Sequence, residues 1–250
     1  MDLAPLERIL ALGPTPLFAT VSGAHLYGFD SPDSDWDLRG AFVAPLREVL
    51  GLSPPEETVT LLGDEFGLDL DWVAHDVRKF ARLMTRRNGY VLEQLYSPLV
   101  VHGGEWLREL REIGRGCIVR NLFYHYGGFF RGQRKLLADG EHTVKRLLYG
   151  YRVALTGIHV LRTGRVEANL NQLVAEYPSP GVEDLVARKR AGAEKGALHP
   201  GEAVAHTKVF DALEERLQRA FEESSLPETP TSRAALDDYV VRARLELGDG

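Results

Sequence analysis

The chain has one cysteine among its 250 residues, Cys117, so an internal disulfide is impossible and a reducing, cytoplasmic setting fits. No Cys-x-x-Cys or His-x-x-x-His pair occurs, and eight scattered histidines beside one cysteine do not make a structural zinc site. No apolar run of about 18 residues exists, so no transmembrane helix and no membrane partner are expected. The opening segment MDLAPLERIL lacks the basic stretch and long apolar core of a signal peptide. Internal repeats and low-complexity tracts are missing too. What is present is ordinary for a globular protein: 44% hydrophobic and 26% charged residues, enough for one large domain or two modest ones.

The net charge of −6 is unevenly spread. Residues 1–75 carry 3 basic and 13 acidic side chains, residues 76–165 carry 17 and 7, and residues 166–250 carry 10 and 16. An acidic stretch followed by a basic one suggests a cation site facing an anionic ligand. Solvated, arginine-rich helix faces give the same pattern.

Residues 3–12 read as a helix stopped by Pro14 and Pro16, and the β-rich run 17–21 as a buried strand. A glycine-bracketed turn (22–28) and a loop (29–34) lead into a strand over 35–43. Strands at 58–62 and 66–74 are expected to join near Gly63-Asp64. From Asp76 the period turns helical, with Val77, Phe80, Ala81 and Met84 on one face. A helix at 90–96 and a short strand at Val100-Val101 follow, then helices near 105–113, 116–138, 142–162, 168–176, 201–223 and 232–246. The expected fold is α/β of the α+β kind. A small mixed sheet with helices on one face fills a domain over 1–103, and an all-helical domain fills 104–250.

The chemistry is concentrated between Gly23 and Gly40, GAHLYGFDSPDSDWDLRG. Asp35 and Asp37 are two apart at the start of a strand, so both carboxylates project to one side. Like charges that close need a proton or cation between them. A hard divalent ion such as Mg2+ prefers carboxylate oxygens and keeps positions for phosphates. Asp69 and Asp71 alternate on the next long strand, and either could complete the set. Three carboxylates can hold two metals about 3.5–4 Å apart for in-line phosphoryl displacement. The turn's backbone amides can cradle a triphosphate beside them. An Asp-x-Asp pair alone is weak, because strands often begin with solvated acids.

Ser22-Gly-Ala-His-Leu-Tyr-Gly28 followed by Ser34-Asp-Trp-Asp-Leu-Arg-Gly40 resembles the nucleotidyltransferase (DNA polymerase β) superfamily, most closely its RNA-repair-pathway polymerase β-like family. The later motifs of that family look like Asp71, Arg78-Lys-Phe80 and Asn88-Gly-Tyr-Val-Leu-Glu93, so the resemblance covers residues 17–98 well and 145–164 more weakly. It implies a palm-like sheet, with Asp35, Asp37 and Asp71 as catalytic residues holding Mg2+ or Mn2+. Asp71 is preferred to Asp69 by its offset from Arg78-Lys-Phe80. Gly23 would let the backbone approach the phosphates, and Ser34 would contact phosphate or brace the turn. The family's Gly-Ser is Gly23-Ala24 here, which removes a hydrogen bond worth roughly 0.5–3 kcal/mol; Ser22 is next to it and would compensate if its side chain faces the ligand.

Arg39 shares a face with Asp37 and either neutralises the carboxylates, contacts substrate or forms a structural ion pair. Lys145, Tyr149 and Arg152 fall on one helix face that could reach phosphates or stack a base, although a solvated face with packed tyrosines fits slightly better. Phe129-Phe-Arg-Gly-Gln-Arg-Lys135 mixes aromatic and basic residues in the same way. Trp36 should point away from the carboxylates into the core.

The expected reaction is attack of a hydroxyl on the α-phosphorus of a nucleoside triphosphate, ATP by preference, with pyrophosphate leaving. An RNA 3′ end is the first candidate acceptor. A small molecule or a protein hydroxyl is the alternative, and Ala24 raises a third reading, a nucleotide-binding protein with impaired catalysis.

Overall fold

The computed structural model describes residues 3–65, 68–140, 142–192, 198 and 201–248. By their contacts these group into two compact units, one of residues 1–23, 35–117 and 230–250, the other of 24–34 and 118–229. That grouping differs from the 1–103 and 104–250 division drawn from the sequence.

The first unit is built on a five-stranded mixed sheet of order β3-β4-β2-β1-β5. Its strands are β1 (Pro16–Val21), β2 (Trp36–Phe42), β3 (Thr58–Glu65), β4 (Leu68–Asp76) and β5 (Val100–His102). β2 and β4 run parallel; every other pairing is antiparallel. β1, the continuous apolar run, is buried at all six positions, as an interior strand covered on both faces should be. β4 alternates strictly, with Leu70, Trp72, Ala74 and Asp76 buried and Asp69, Asp71, Val73 and His75 on the other face.

One face packs Leu38, Phe42, Leu70, Trp72 and Ala74 against Leu6, Ile9 and Leu10 of α1 (Ala4–Leu10), with Trp36 at the edge of this cluster. The opposite face carries α4 (Val77–Met84) and α5 (Gly89–Tyr96). There Phe80 meets Phe18 edge-on at 5.1 Å, and Thr20 donates a 2.8 Å hydrogen bond to the Gln94 carbonyl. Helices therefore cover both faces, not one as expected: β1 is apolar on each side and needs two covers. A short helix α3 (Leu46–Leu50) lies between β2 and β3, and α6 (Glu105–Gly114) and α12 (Arg233–Leu247) complete the unit. Tyr239 of α12 donates to the Trp106 carbonyl at 2.9 Å.

The hairpin differs from expectation. Gly63-Asp64 is no turn: β3 continues through both to Glu65, and Gly63 pairs with Leu70. Residues 66 and 67, where the second strand was expected to begin, lie outside the described residues.

The second unit holds α2 (Gly23–Tyr27, whose first residue counts with the sheet) and α7 (Phe123–Ala138), α8 (Val144–Thr163), α9 (Leu170–Glu176), α10 (Val182–Arg190) and α11 (Glu202–Glu223). α8 is buried along most of its length, and α7, α9, α10 and α11 pack around it. Its glycines permit close approach: a Cβ on Gly150 would lie 2.5 Å from Phe210, and one on Gly157 2.7 Å from Tyr126. α7 begins at Phe123, not near 116, because the preceding residues form two 3-10 turns held by a distant loop. Thr231 N donates to the Gly116 carbonyl and Arg120 N to the Pro227 carbonyl, both at 2.9 Å. Among the described residues no helix is long and apolar enough to cross a membrane.

Candidate active site

β1 ends at Val21, and Ser22 extends its pairing by donating N–H to the Asp37 carbonyl at 2.8 Å. Gly23 then takes φ +58°, a left-handed conformation that costs a residue with a Cβ about 1–2 kcal/mol. Space demands glycine here as much as conformation does. A Cβ on Gly23 would sit 1.7 Å from Oδ2 of Asp37. The carboxylate of Asp37 thus lies directly against the backbone that opens α2.

In the parallel pairing of β2 with β4, Asp37 is opposite Asp71 and Leu38 opposite Trp72. Register thereby places Asp71, rather than Asp69, beside Asp37. Asp69 lies beyond the first paired residues, Trp36 and Leu70, and is opposite Asp64 of β3 instead. Between the two carboxylates stands Arg39. Its Nη2 donates to Oδ1 of Asp37 and to Oδ2 of Asp71, each at 2.7 Å. Its Nη1 donates to the carbonyls of Leu38 at 2.7 Å and Asp71 at 2.5 Å. One guanidinium therefore ties two strands together through charge-assisted bonds.

The electrostatics are strained. Burial pushes the Asp37 carboxyl up from 3.8 to about 6; Arg39 pulls it down, while the negative charges of Asp35 and Asp71 push it further up. Asp35 is exposed just ahead of β2, near enough for its charge to be felt by Asp37. Three carboxylates thus share one neighbourhood with a single guanidinium. Among the described residues no three His, Cys, Asp or Glu side chains stand as a ready-made metal cage. The donor set itself suits a hard divalent cation: oxygen ligands only, surplus negative charge, and one oxygen on each of Asp37 and Asp71 not engaged by Arg39.

Ala24, Ser34, Lys145 and Arg152, also singled out from the sequence, fall in the second unit. Ala24 is buried in α2. Ser34 braces its turn: its Oγ accepts from Ser31 N and meets Ser31 Oγ, each at 3.0 Å. Lys145 is exposed on α8, whereas Arg152 is buried with its guanidinium 4.0 Å above the Tyr27 ring. Tyr149 packs edge-on against Tyr27 and Phe29. In the aromatic-basic stretch of α7, Arg134 is ion-paired with Asp211 and Glu214 of α11.

Spacing along the chain does not reveal the anchor at the far end of β4. Asp76 caps α4 by accepting Arg78 N at 3.0 Å and also accepts Ala44 N at 3.3 Å. Arg244 of α12 donates to Asp76 at 2.6 Å and to the Ala44 carbonyl at 2.8 Å. An aspartate just before an amphipathic run signals the cap, but nothing local points to Arg244. A groove of about 650 Å³ between α4 and α12, lined by Arg82, Thr85, Asp237 and Val241, does not include Asp35, Asp37 or Asp71.

The chain is 29% identical over 161 residues to an uncharacterized protein of Methanocaldococcus jannaschii, MJ0002, covering 62% of this chain and 64% of that protein. It is 28% identical over 201 residues to an uncharacterized protein of Bacillus subtilis, YcgL, covering 76% of this chain and 75% of the other. The chain thus spans just under two thirds of the archaeal relative's length. Residues 4–242 match the model of the RNA repair pathway DNA polymerase beta family (RlaP), and the chain belongs to that family of polymerase β-like nucleotidyltransferases.

Proposed function

We propose that the protein transfers a nucleoside monophosphate from a nucleoside triphosphate, ATP by preference, to a hydroxyl acceptor, with release of pyrophosphate. The observation that carries this reading is the Asp37–Asp71 register pair, set against the Gly23 backbone at the mouth of α2. Asp37 and Asp71, with Asp35, would hold Mg2+ or Mn2+. When bound, such an ion offsets charge on the triphosphate and the attacking oxygen. Asp71, whose Oδ2 is taken by Arg39, keeps Oδ1 for the proton of the attacking hydroxyl. Ser22, Gly23 and Ala24 supply the backbone that faces the phosphates. Arg39 provides positive charge beside them. Arg152 acts indirectly in this reading, by holding Tyr27.

The acceptor we favour is an RNA 3′ end. Family membership supports it, as does the surplus of basic residues over 76–165. Contacts of that kind are salt-sensitive. A second reading, nucleotide binding with impaired turnover, is favoured by one observation, Ala24 in place of the family's serine.

Labelled ATP with Mg2+, with and without RNA, tests both. Label appearing on RNA supports repair-type transfer. Label on protein or a small acceptor keeps the transferase and replaces the acceptor. Binding of ATP without pyrophosphate release supports the second reading and overturns the first.

A further inference from the structure

The loop over residues 28–34 leads directly into Asp35, and it is gripped from two helices that no motif of the active site includes. Gly28 has φ +78°, and a Cβ there would lie 2.5 Å from Nδ2 of Asn171 and 2.6 Å from Oδ1 of Asn169. The Gly28 carbonyl accepts two donors: Nδ2 of Asn171 at 2.7 Å and Nη2 of Arg190 at 2.8 Å. Three residues on, Ser31 Oγ accepts from Nζ of Lys189 at 3.2 Å. Ser31 and Ser34 then close the turn on each other, Ser34 N donating to the Ser31 carbonyl at 2.9 Å. Lys189 is 1% exposed and Ser31 4%.

Lysine is seldom fully buried, and this one spends a hydrogen bond on the loop. Asn169 is itself fixed: it caps α9 by accepting Asn171 N at 3.0 Å, and its own N–H donates to Glu167 at 2.7 Å. The grip is therefore rigid on the helix side.

We infer that Asn171, Lys189 and Arg190 are positioning residues, which set the loop over 28–34 and so present Asp35, its covalent continuation, in the geometry needed to hold a divalent cation. This rests on the proposed function in one respect, that Asp35 is a metal ligand. It assigns to α9 and α10 a task in the chemistry, and it gives Gly28 a reason distinct from phosphate approach: the asparagine pair must touch the backbone.

The test uses the full chain and Asn171→Ala/Arg190→Ala, since both side chains are exposed and their loss should leave the fold intact. Lys189→Met serves as a second variant that keeps the buried volume. Three readouts are taken: melting temperature, amide hydrogen exchange of residues 28–36, and Mn2+ affinity by electron paramagnetic resonance. Phe210→Leu, which disturbs the core of the same unit away from the loop, is the control. Exchange of 28–36 should quicken in the loop variants and Mn2+ affinity should fall roughly tenfold, the usual scale for supports of metal ligands. The control should lower melting temperature without either effect.

Unchanged Mn2+ affinity in the loop variants, with or without faster exchange, overturns the inference. So does an equal fall in affinity in the control, and so does a wild-type chain that binds no Mn2+. A wild-type chain that transfers no nucleotide, while the loop variants still lose Mn2+ affinity, would sink the proposed reaction and leave this positioning role standing.

Discussion

Gly23 and Asp37 are in direct apposition: the space a Cβ of residue 23 would fill is taken by Oδ2 of the aspartate. The glycine that opens α2 and the carboxylate on β2 are therefore one structural feature, although 14 positions separate them in the numbering. Gly23→Ala must both adopt φ +58° and displace the carboxylate. We expect a stability cost of about 1–2 kcal/mol from the backbone. A fall in kcat/KM of at least roughly tenfold, about 1.4 kcal/mol, should come from the moved oxygen. Thermal melts and steady-state transfer assays separate the two effects; a variant with normal turnover would show that the close approach has no part in the chemistry.

Much of this feature is legible in the sequence, and physical reasons mark where legibility stops. The apolar run 17–21, the glycine that follows and the spaced aspartates are local signals, and they locate β1, α2 and β2 to within a residue or two. Register is not local. Only the parallel pairing of β2 with β4 makes Asp71 the neighbour of Asp37 and leaves Asp69 outside, and only there does Arg39 find both carboxylates. α10 escapes sequence reading because Lys189 occupies a buried position after Val182, Leu185 and Val186, breaking an otherwise apolar stripe. Gly63-Asp64 misleads for a related reason: glycine suits a turn, but its pairing with Leu70 keeps it within β3, at a φ of +148° that glycine tolerates.

Arg39 offsets part of the repulsion between Asp37 and Asp71, so it competes with any cation that binds there. Arg39→Gln should melt at a lower temperature than the wild type in metal-free buffer at neutral pH. The same variant should bind Mn2+ more tightly, since two negative charges lose their internal partner. Calorimetric titration with Mn2+ checks this. Weaker binding by the variant would mean that the guanidinium holds the carboxylates in place for the metal.

The raised Asp37 carboxyl has a consequence for acid dependence. Its value is about 6 in the folded chain against 3.8 for a free aspartate side chain. The fold therefore favours the protonated form, so the stability tied to this group is complete below about pH 4 and is lost as pH rises through about 6. The loss amounts to as much as roughly 3 kcal/mol, at 1.36 kcal/mol per pKa unit. Urea denaturation of the metal-free protein across that window should show this downward contribution, and Asp37→Asn should remove it. An identical pH profile in the variant would contradict the assignment.

The Asp76–Arg244 pair is buried at both ends and ties α12 to the close of β4. Arg244→Met should destabilise by about 3–5 kcal/mol, because it leaves a buried carboxylate without its charge partner. Asp76 also caps α4 and accepts Ala44 N, so Asp76→Ala should cost more than Arg244→Met. Chemical denaturation of both variants measures the order.

Restoring the family's serine offers a graded probe of the turn. Ala24→Ser should raise transfer or nucleotide affinity by supplying a hydroxyl beside the Gly23 backbone. Equal or lower values would show that the turn serves its ligand by backbone alone.

The most direct measurement of the central claim is Mn2+ binding, followed by electron paramagnetic resonance with a non-hydrolysable triphosphate present, to wild type, Asp37→Asn and Asp71→Asn. If paired carboxylates on neighbouring strands hold the catalytic ion, the wild type binds it and each folded variant loses affinity by roughly an order of magnitude or more. Equal binding in all three would contradict the account.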